Sequence, residues 1–166
     1  MLFRSQWFDA RDAVNDAVRE AQSKHGIGRR ITASIDKDFE IAGARSELRI
    51  ALDNLLANAC RHTPAQTSIL VRLSAQSNGS LRLAVIDDGP GIAAEHLPRL
   101  AERFYRVDQG RSRESGGTGL GLTIVREVAQ RLGGGLEIAS VPGEGSSFSL
   151  LLPAARIRER AQAVAA

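Results

Sequence analysis

Two pairs of strand-forming runs, residues 68–87 and 136–152, are separated by helical and loop-rich stretches rather than by single helices. This order constrains the fold more than any other feature. Strands that alternate one by one with helices build a doubly wound parallel sheet, whereas hairpins pair antiparallel and leave the intervening helices to cover a face. Asn78-Gly79 marks the first turn, because both central positions of a two-residue type I′ turn require positive φ. Pro142-Gly143-Glu144-Gly145 marks the second. The expectation is an α/β (α+β) two-layer sandwich. Its one mixed sheet of about five strands would be covered on one face by about three helices.

The helices follow from 3.6-residue periodicity. Ala10, Ala13, Val14, Ala17, Val18 and Ala21 form one face of a helix over residues 9–24, with Asp9 as N-cap, Phe8 as staple and Gly26 and Gly28 at its end. Leu48, Leu52, Leu55, Leu56 and Ala59 line a second helix over residues 46–62, stopped by Pro64. Ile124, Val125, Val128 and Leu132 line a third, over residues 120–132. Residues 31–35 and 39–42 read as short strands, and residues 94–104 as a helix inside the long loop-forming stretch 87–121. Loops of that length are often lids or binding loops. Residues 154–166, rich in Arg and Ala, read as a disordered tail.

The chain has 166 residues, 43% hydrophobic, 25% charged and only 4% aromatic, so aliphatic side chains must fill its core. No apolar run reaches the roughly 20 residues of a membrane span. The N-terminus lacks the apolar region of a signal peptide. Cys60 is the single cysteine, which rules out an internal disulfide and a cysteine metal cage. The net charge of +3 is carried by Arg along the whole chain, with Asp and Glu interleaved. A nucleic-acid binder concentrates its charge and adds stacking aromatics, so none is expected as a partner. With three His, at 25, 62 and 96, and no metal-binding spacing, a transition-metal site is not expected either. His25 and His96 read as surface residues and Cys60 as a partly buried one.

Four segments could carry chemistry. On the second helix Asn54, Asn58, Arg61 and His62 form a polar stripe beside the apolar face, the natural place for a pocket rim. An Asn carbonyl oxygen is a hard ligand suited to Mg²⁺, and Arg pairs with phosphate. Two Asn alone would fit an exposed face better. Asp87-Asp88-Gly89-Pro90-Gly91 follows directly on a strand, which puts the Asp87 carboxylate at a buried strand end in need of donors; a purine amine supplies one. A plain surface turn uses the same residue types. Gly116-Gly117-Thr118-Gly119-Leu120-Gly121-Leu122 opens the third helix, where glycines and a helix N-terminus can cradle phosphate; a flexible hinge fits it equally well. Arg99, Arg103, Arg106, Arg111 and Arg113 crowd the segment before it, with Arg106 best placed for a terminal phosphate and Phe104 and Tyr105 as anchors onto the core.

In order and spacing these segments resemble sensor histidine kinases. Asn54-Leu-Leu-Ala-Asn58-Ala-Cys-Arg61-His62-Thr63-Pro64 looks like the N box of that family, and Asp87-Asp-Gly-Pro-Gly91-Ile92 like its G1 box. Arg103-Phe-Tyr-Arg106-Val-Asp108 looks like the F box and Gly117-Thr-Gly-Leu-Gly-Leu122 like the G2 box. Gly143 to Phe148, with the ending Leu152-Pro153, resembles the last glycine motif and final strand. The resemblance runs from about Phe8 to Pro153 and is specific to the catalytic, ATP-binding domain of two-component histidine kinases.

That resemblance implies the Bergerat (GHKL) sandwich shared with gyrase, Hsp90 and MutL ATPases, with a flexible ATP lid. It implies ATP and Mg²⁺ as cofactors. Asp87 would accept from the adenine amine, with water near Ser146, and Gly89, Gly91 and Ile92 would flank the base. Asn58 would ligate the metal. Asn54, Arg61 and His62 would line the phosphates, and Gly117, Thr118, Gly119, Leu120, Gly121 and Leu122 would hold them. Asn54 and Arg106 would serve catalysis, Arg106 by steadying the γ-phosphate. The family often has Lys and Tyr where Arg61 and His62 stand; the first change keeps the charge, the second alters the hydrogen bond. The family's acceptor motif, a His-Glu pair followed by Arg or Lys and Thr-Pro, is not in the sequence. Residues 1–8 are then expected to be the stub of a linker from a dimerisation and phosphoacceptor domain, and residues 9–153 the catalytic domain. The expected partners are that acceptor domain and a response regulator, with a monomeric, cytoplasmic fragment of a membrane-anchored sensor. A serine kinase of the anti-sigma-factor type and a docking module without catalysis are the alternatives.

Overall fold

The computed structural model describes residues 6–107 and 117–160. In chain order these form β1 (Trp7–Asp9), α1 (Ala10–His25), β2 (Ile31–Ile35), β3 (Phe39–Ala42), α2 (Arg45–His62), β4 (Ile69–Ala75), β5 (Leu81–Asp87), α3 (Gly121–Arg131), β6 (Gly135–Val141), β7 (Gly145–Leu152) and β8 (Ile157–Glu159). Short 3-10 turns lie at Ala94–Arg99 and Ala154–Arg156.

The main sheet has five strands in the order β2-β4-β5-β7-β6. Only β2 and β4 pair parallel, so the sheet is mixed, as expected. Alternation sets its register: Ile69, Val71 and Leu73 of β4 are buried while Arg72 faces out, and Leu81, Leu83 and Val85 continue the same inner face. A one-residue slip would turn all of them to solvent. The three helices cover this inner face. Alanines at 10, 13, 17 and 21 give α1 a smooth buried side, and Leu48, Leu52, Leu55 and Leu56 of α2 are at most 1% exposed. Each such leucine contributes about 1.5–3 kcal/mol by leaving water. Asp9 caps α1 by accepting from the Asp12 N–H at 3.2 Å.

Several expectations are corrected. The first hairpin turns through three residues, not two: Gly79 alone has positive φ, its N–H reaches the Gln76 carbonyl at 3.0 Å, and Gln76 and Ser80 close the ladder. This is a tight turn followed by a glycine bulge, and it leaves Asn78 unstrained. The helix expected over residues 94–104 shrinks to the 3-10 turn Ala94–Arg99, because Pro98 has no N–H and its ring clashes with the carbonyl four residues back. Ile124 lies 37% exposed; Leu122, Val125, Val128 and Ala129 form the buried face of α3 instead.

A second, three-stranded sheet, β1-β3-β8, has no counterpart in the expected fold. It takes β3 out of the main sheet and orders residues expected to be linker or tail. Phe8 pairs with Ile41 and Ile41 with Ile157. Ion pairs fasten its edges: Arg158 to Glu40 at 2.6 Å, Arg160 to Asp9 at 2.6 Å and Lys37 to Glu159 at 3.0 Å. Residues 6–8 and 154–160 therefore belong to the folded unit. The rest of the expected stub and tail, residues 1–5 and 161–166, lies outside the described residues.

Candidate functional site

Between α2, the loop after β5 and the loop before α3 the structure holds a cavity of about 700 Å³. Its floor is the polar stripe of α2. Asn54, Asn58, Arg61 and His62 all line it. Asn54 is oriented by its own helix, its Nδ2 donating to the Ile50 carbonyl at 2.8 Å. Its Oδ1 then faces the first residue of α3, where a Cβ on Gly121 would stand 3.1 Å from that oxygen. Burial, and then the guanidinium charges of Arg61 and Arg106, hold the His62 imidazole below its usual pKa.

One end of the cavity is built around Asp87. It is the last residue of β5, 6% exposed, and pairs across the sheet with Ile69 on one side and Ser146 on the other. Its Oδ1 accepts from the Gly89 N–H at 3.0 Å. Burial raises its pKa; the N–H groups of Gly89 and Ser146 pull it back, Asp88 adds to the rise and Arg29 opposes it. The following loop is fixed by glycines that no other residue could replace without movement. A Cβ on Gly91, at φ +72°, would meet the Val141 carbonyl at 2.2 Å. Nearby, the Gly143 N–H donates to the Pro90 carbonyl at 2.8 Å and the Ile92 N–H to Ser140 Oγ at 2.8 Å. The Ser140 and Ser146 hydroxyls bond each other at 2.9 Å.

The other end is built around the glycine loop. A Cβ on Gly117 would lie 3.4 Å from Arg61 Nη1 and 3.6 Å from Arg106 Nη2, so two cations converge on this backbone. Gly119, at φ +70°, packs against Phe104: a Cβ there would stand 2.9 Å from the Phe104 Cα, and the Phe104 N–H donates to the Gly119 carbonyl at 3.0 Å. Phe104 itself has φ +65° and is 71% exposed, so it does not anchor the segment on the core as expected. Tyr105 anchors elsewhere. Its hydroxyl bonds His96 Nδ1 at 2.6 Å, and the Arg99 guanidinium lies 4.3 Å over its ring.

The cavity wall thus brings together Asn54, Asn58, Arg61, His62, Asp87, Gly91, Ile92, Arg106, Gly117, Thr118, Gly119, Gly121, Leu122 and Ser146. Gly89 and Leu120 stand off it. Gly89 is buried behind Thr63, whose Cγ2 would be 2.6 Å from a Cβ at that position. Asp108, Arg111, Arg113 and Gly116 lie outside the described residues. Sequence reasoning did not assign Thr63, His96 and Tyr105 to this wall. Thr63 was visible as the residue closing the α2 motif; His96 carries no local signal and reaches the cavity only because the 3-10 turn folds it toward Tyr105.

Residues 43–156 match the family described as histidine kinase-, DNA gyrase B- and HSP90-like ATPases. The chain is 42% identical over 150 residues to the phosphate regulon sensor protein PhoR of Pseudomonas aeruginosa, covering 89% of this chain and 34% of that protein. It is 39% identical over 145 residues to the sensor-like histidine kinase SenX3 of Mycolicibacterium smegmatis, covering 84% of this chain and 38% of that protein. The chain therefore spans about a third of the length of these relatives. Among solved structures it superposes on the mycobacterial sensor histidine kinase MprB with a TM-score of 0.81 at 25% identity, covering 93% of this chain and all of that one. The ATP-binding domain of PrrB from Mycobacterium tuberculosis gives a TM-score of 0.72 at 25% identity, with 90% and 97% covered. The mixed sheet, the three covering helices and the cleft above α2 are the GHKL arrangement, and the chain belongs to the histidine kinase-, DNA gyrase B- and HSP90-like ATPase family, in the form of the catalytic domain of sensor histidine kinases.

Proposed function

We propose that the domain binds Mg-ATP in this cleft and presents the γ-phosphate to a histidine on a separate dimerisation domain, which passes the phosphoryl group to an aspartate of a cognate response regulator. The observation that carries this reading is the Asp87 carboxylate, buried at a strand end and facing a cavity whose opposite end gathers Arg61, Arg106 and a glycine loop. A carboxylate in that setting selects a base with an exocyclic amine, and the cations and backbone N–H groups select its phosphates.

On this reading Asp87 accepts from the adenine amine, with Gly91 and Ile92 against the ring and Ser146 beside it. Arg61, His62 and the Gly117–Leu122 backbone hold the phosphate chain. Asn54 orients the phosphate end, and Arg106 neutralises charge that builds on the transferring group. Among the described residues no three His, Cys, Asp or Glu side chains form a metal cage. That suits an ion taking most of its ligands from phosphates and water, with the Asn58 carboxamide as its protein oxygen. Mg²⁺ there would neutralise phosphate charge. Catalysis by this chain is then positioning and electrostatics, with the acceptor supplied elsewhere. No described helix is long and apolar enough to cross a membrane, and on the family reading this domain works in the cytoplasm, with any anchor in another part of the sensor.

The test is titration calorimetry with Mg-ATP, followed by incubation with an acceptor domain and γ-labelled ATP. Binding and an acid-labile label are expected. No heat, or an acid-stable phosphoserine label, would overturn the reading.

A further inference from the structure

Arg29 belongs to none of the motifs that line the cleft. It follows a turn in which Gly28 takes φ +75° and the Arg29 N–H closes on the Gly26 carbonyl at 3.2 Å. The residue is only 9% exposed. Its Nη1 donates to Thr63 Oγ1 at 2.8 Å and to the Ala59 carbonyl at 3.3 Å. Its Nη2 donates to the carbonyls of Thr63 and Pro64, each at 3.0 Å. One planar group thus gathers the last turn of α2, its cap and the residue beyond. Carbonyls at a helix C-terminus lack intrahelical donors and carry the negative end of the dipole, so a buried cation is well placed there.

The contacts continue into the cleft in two directions. The Thr63 methyl is the wall against which Gly89 packs, and Gly89 in turn holds Asp87 Oδ1. The same last turn of α2 carries Arg61 and His62, with Asn58 one turn earlier. We propose that Arg29 is a positioning residue: by pinning the end of α2 and Thr63 against the loop after Asp87, it holds the base end and the phosphate end of the cleft in register. This rests on the cleft being a Mg-ATP site.

Arg29 also acts on the base end electrostatically. The charged groups that act on Asp87 are Asp88 in its own loop and Arg29 from the turn before β2; its strand neighbours Ile69 and Ser146 are uncharged. Without the Arg29 cation, Asp87 takes up its proton at a higher pH, and base recognition fades earlier on acidification.

The test titrates the chain with Mg-ATP and with ADP from acid to neutral pH, in the wild type and in Arg29→Met, Arg29→Lys and Thr63→Val, alongside thermal unfolding. Arg29→Met is expected to weaken both ligands about tenfold and to move the acid limb of ADP binding to higher pH. Arg29→Lys should return the limb but not the affinity, because an ammonium cannot make the planar fork. Thr63→Val should weaken both ligands with the limb unmoved. Affinities and limb unchanged in folded Arg29→Met, with only a lower unfolding temperature, would overturn the proposal. Should that variant not fold, wild-type affinity in Arg29→Lys would overturn it equally. A wild type that ignores Mg-ATP would sink the functional reading and this proposal together, whereas a binding wild type with indifferent variants sinks only the role of Arg29.

Discussion

Gly145 lies directly against the backbone carbonyl of Asp87, so close that a Cβ on Gly145 would stand 2.0 Å from that oxygen. The glycine takes φ +114°, and its own carbonyl accepts from Ser140 Oγ at 2.8 Å. The strand end that presents the carboxylate is thus seated by a contact no side chain can enter. Gly145→Ala should cost about 2–4 kcal/mol of stability, read by denaturant unfolding, and should weaken nucleotide binding in the fraction that stays folded. A variant as stable as the wild type would contradict this contact.

Asp87→Asn should lose about 1.5–3 kcal/mol of nucleotide affinity, because an amide cannot replace the charged acceptor. The pH dependence has a definite sign. Burial raises the Asp87 pKa above its ordinary value. Stability from this group is present below that ordinary value and is lost as pH rises through the folded pKa, while base binding needs the carboxylate and weakens as pH falls through it. Acidification should therefore weaken binding in the same window in which it relieves the empty fold. Both slopes should flatten in Asp87→Asn; calorimetry and unfolding across pH check them together.

Asn58→Ala should remove the benefit of metal more than the binding itself. In the wild type ATP should bind tighter with Mg²⁺ than with a chelator, and in the variant that ratio should shrink by about tenfold. A ratio unchanged by the substitution would take Asn58 out of the metal's surroundings.

Gly119→Ala tests the loop before α3. With φ +70° and Phe104 backbone in the way, the alanine must displace the Phe104 segment. ATP affinity should drop about tenfold while the unfolding midpoint changes little, since the exposed Phe104 contributes little burial. Comparable losses in both would show that this loop is part of the structural core.

His62 should be neutral at pH 7 in the empty domain, with its pKa depressed by burial and by Arg61 and Arg106. A bound triphosphate offsets those two cations, so ATP should raise the imidazole pKa, as read from its NMR shifts. By linkage, ATP affinity should gain a component that strengthens as pH falls through the raised value. An imidazole titrating identically with and without ATP would place His62 away from the phosphates.

The main sheet was legible because its periods are strong: burial alternates in β4 and, apart from the buried Ala84, in β5, and α2 keeps its apolar residues on one face. The cleft was legible for a different reason. Asn54, Asn58, Asp87 and the glycines stand next to helix and strand ends, so local structure alone delivers them to one place. What was missed is non-local. β8 is three residues with a single apolar side chain, and only pairing with β3 makes it a strand. Arg29 looks like any surface arginine until the end of α2 is seen to need its donors. Ile124 sits near enough to the apolar stripe of α3 to be counted in it, and packing against β6 and α2 leaves it out.

The small sheet gives the molecule a mechanical handle. β1 and β8 flank β3, the Gln6 carbonyl accepts from the Gly43 N–H at 3.0 Å, and two residues later α2 begins. Tension applied ahead of Trp7 would load three short strands at the root of the helix that carries Asn54 and Asn58.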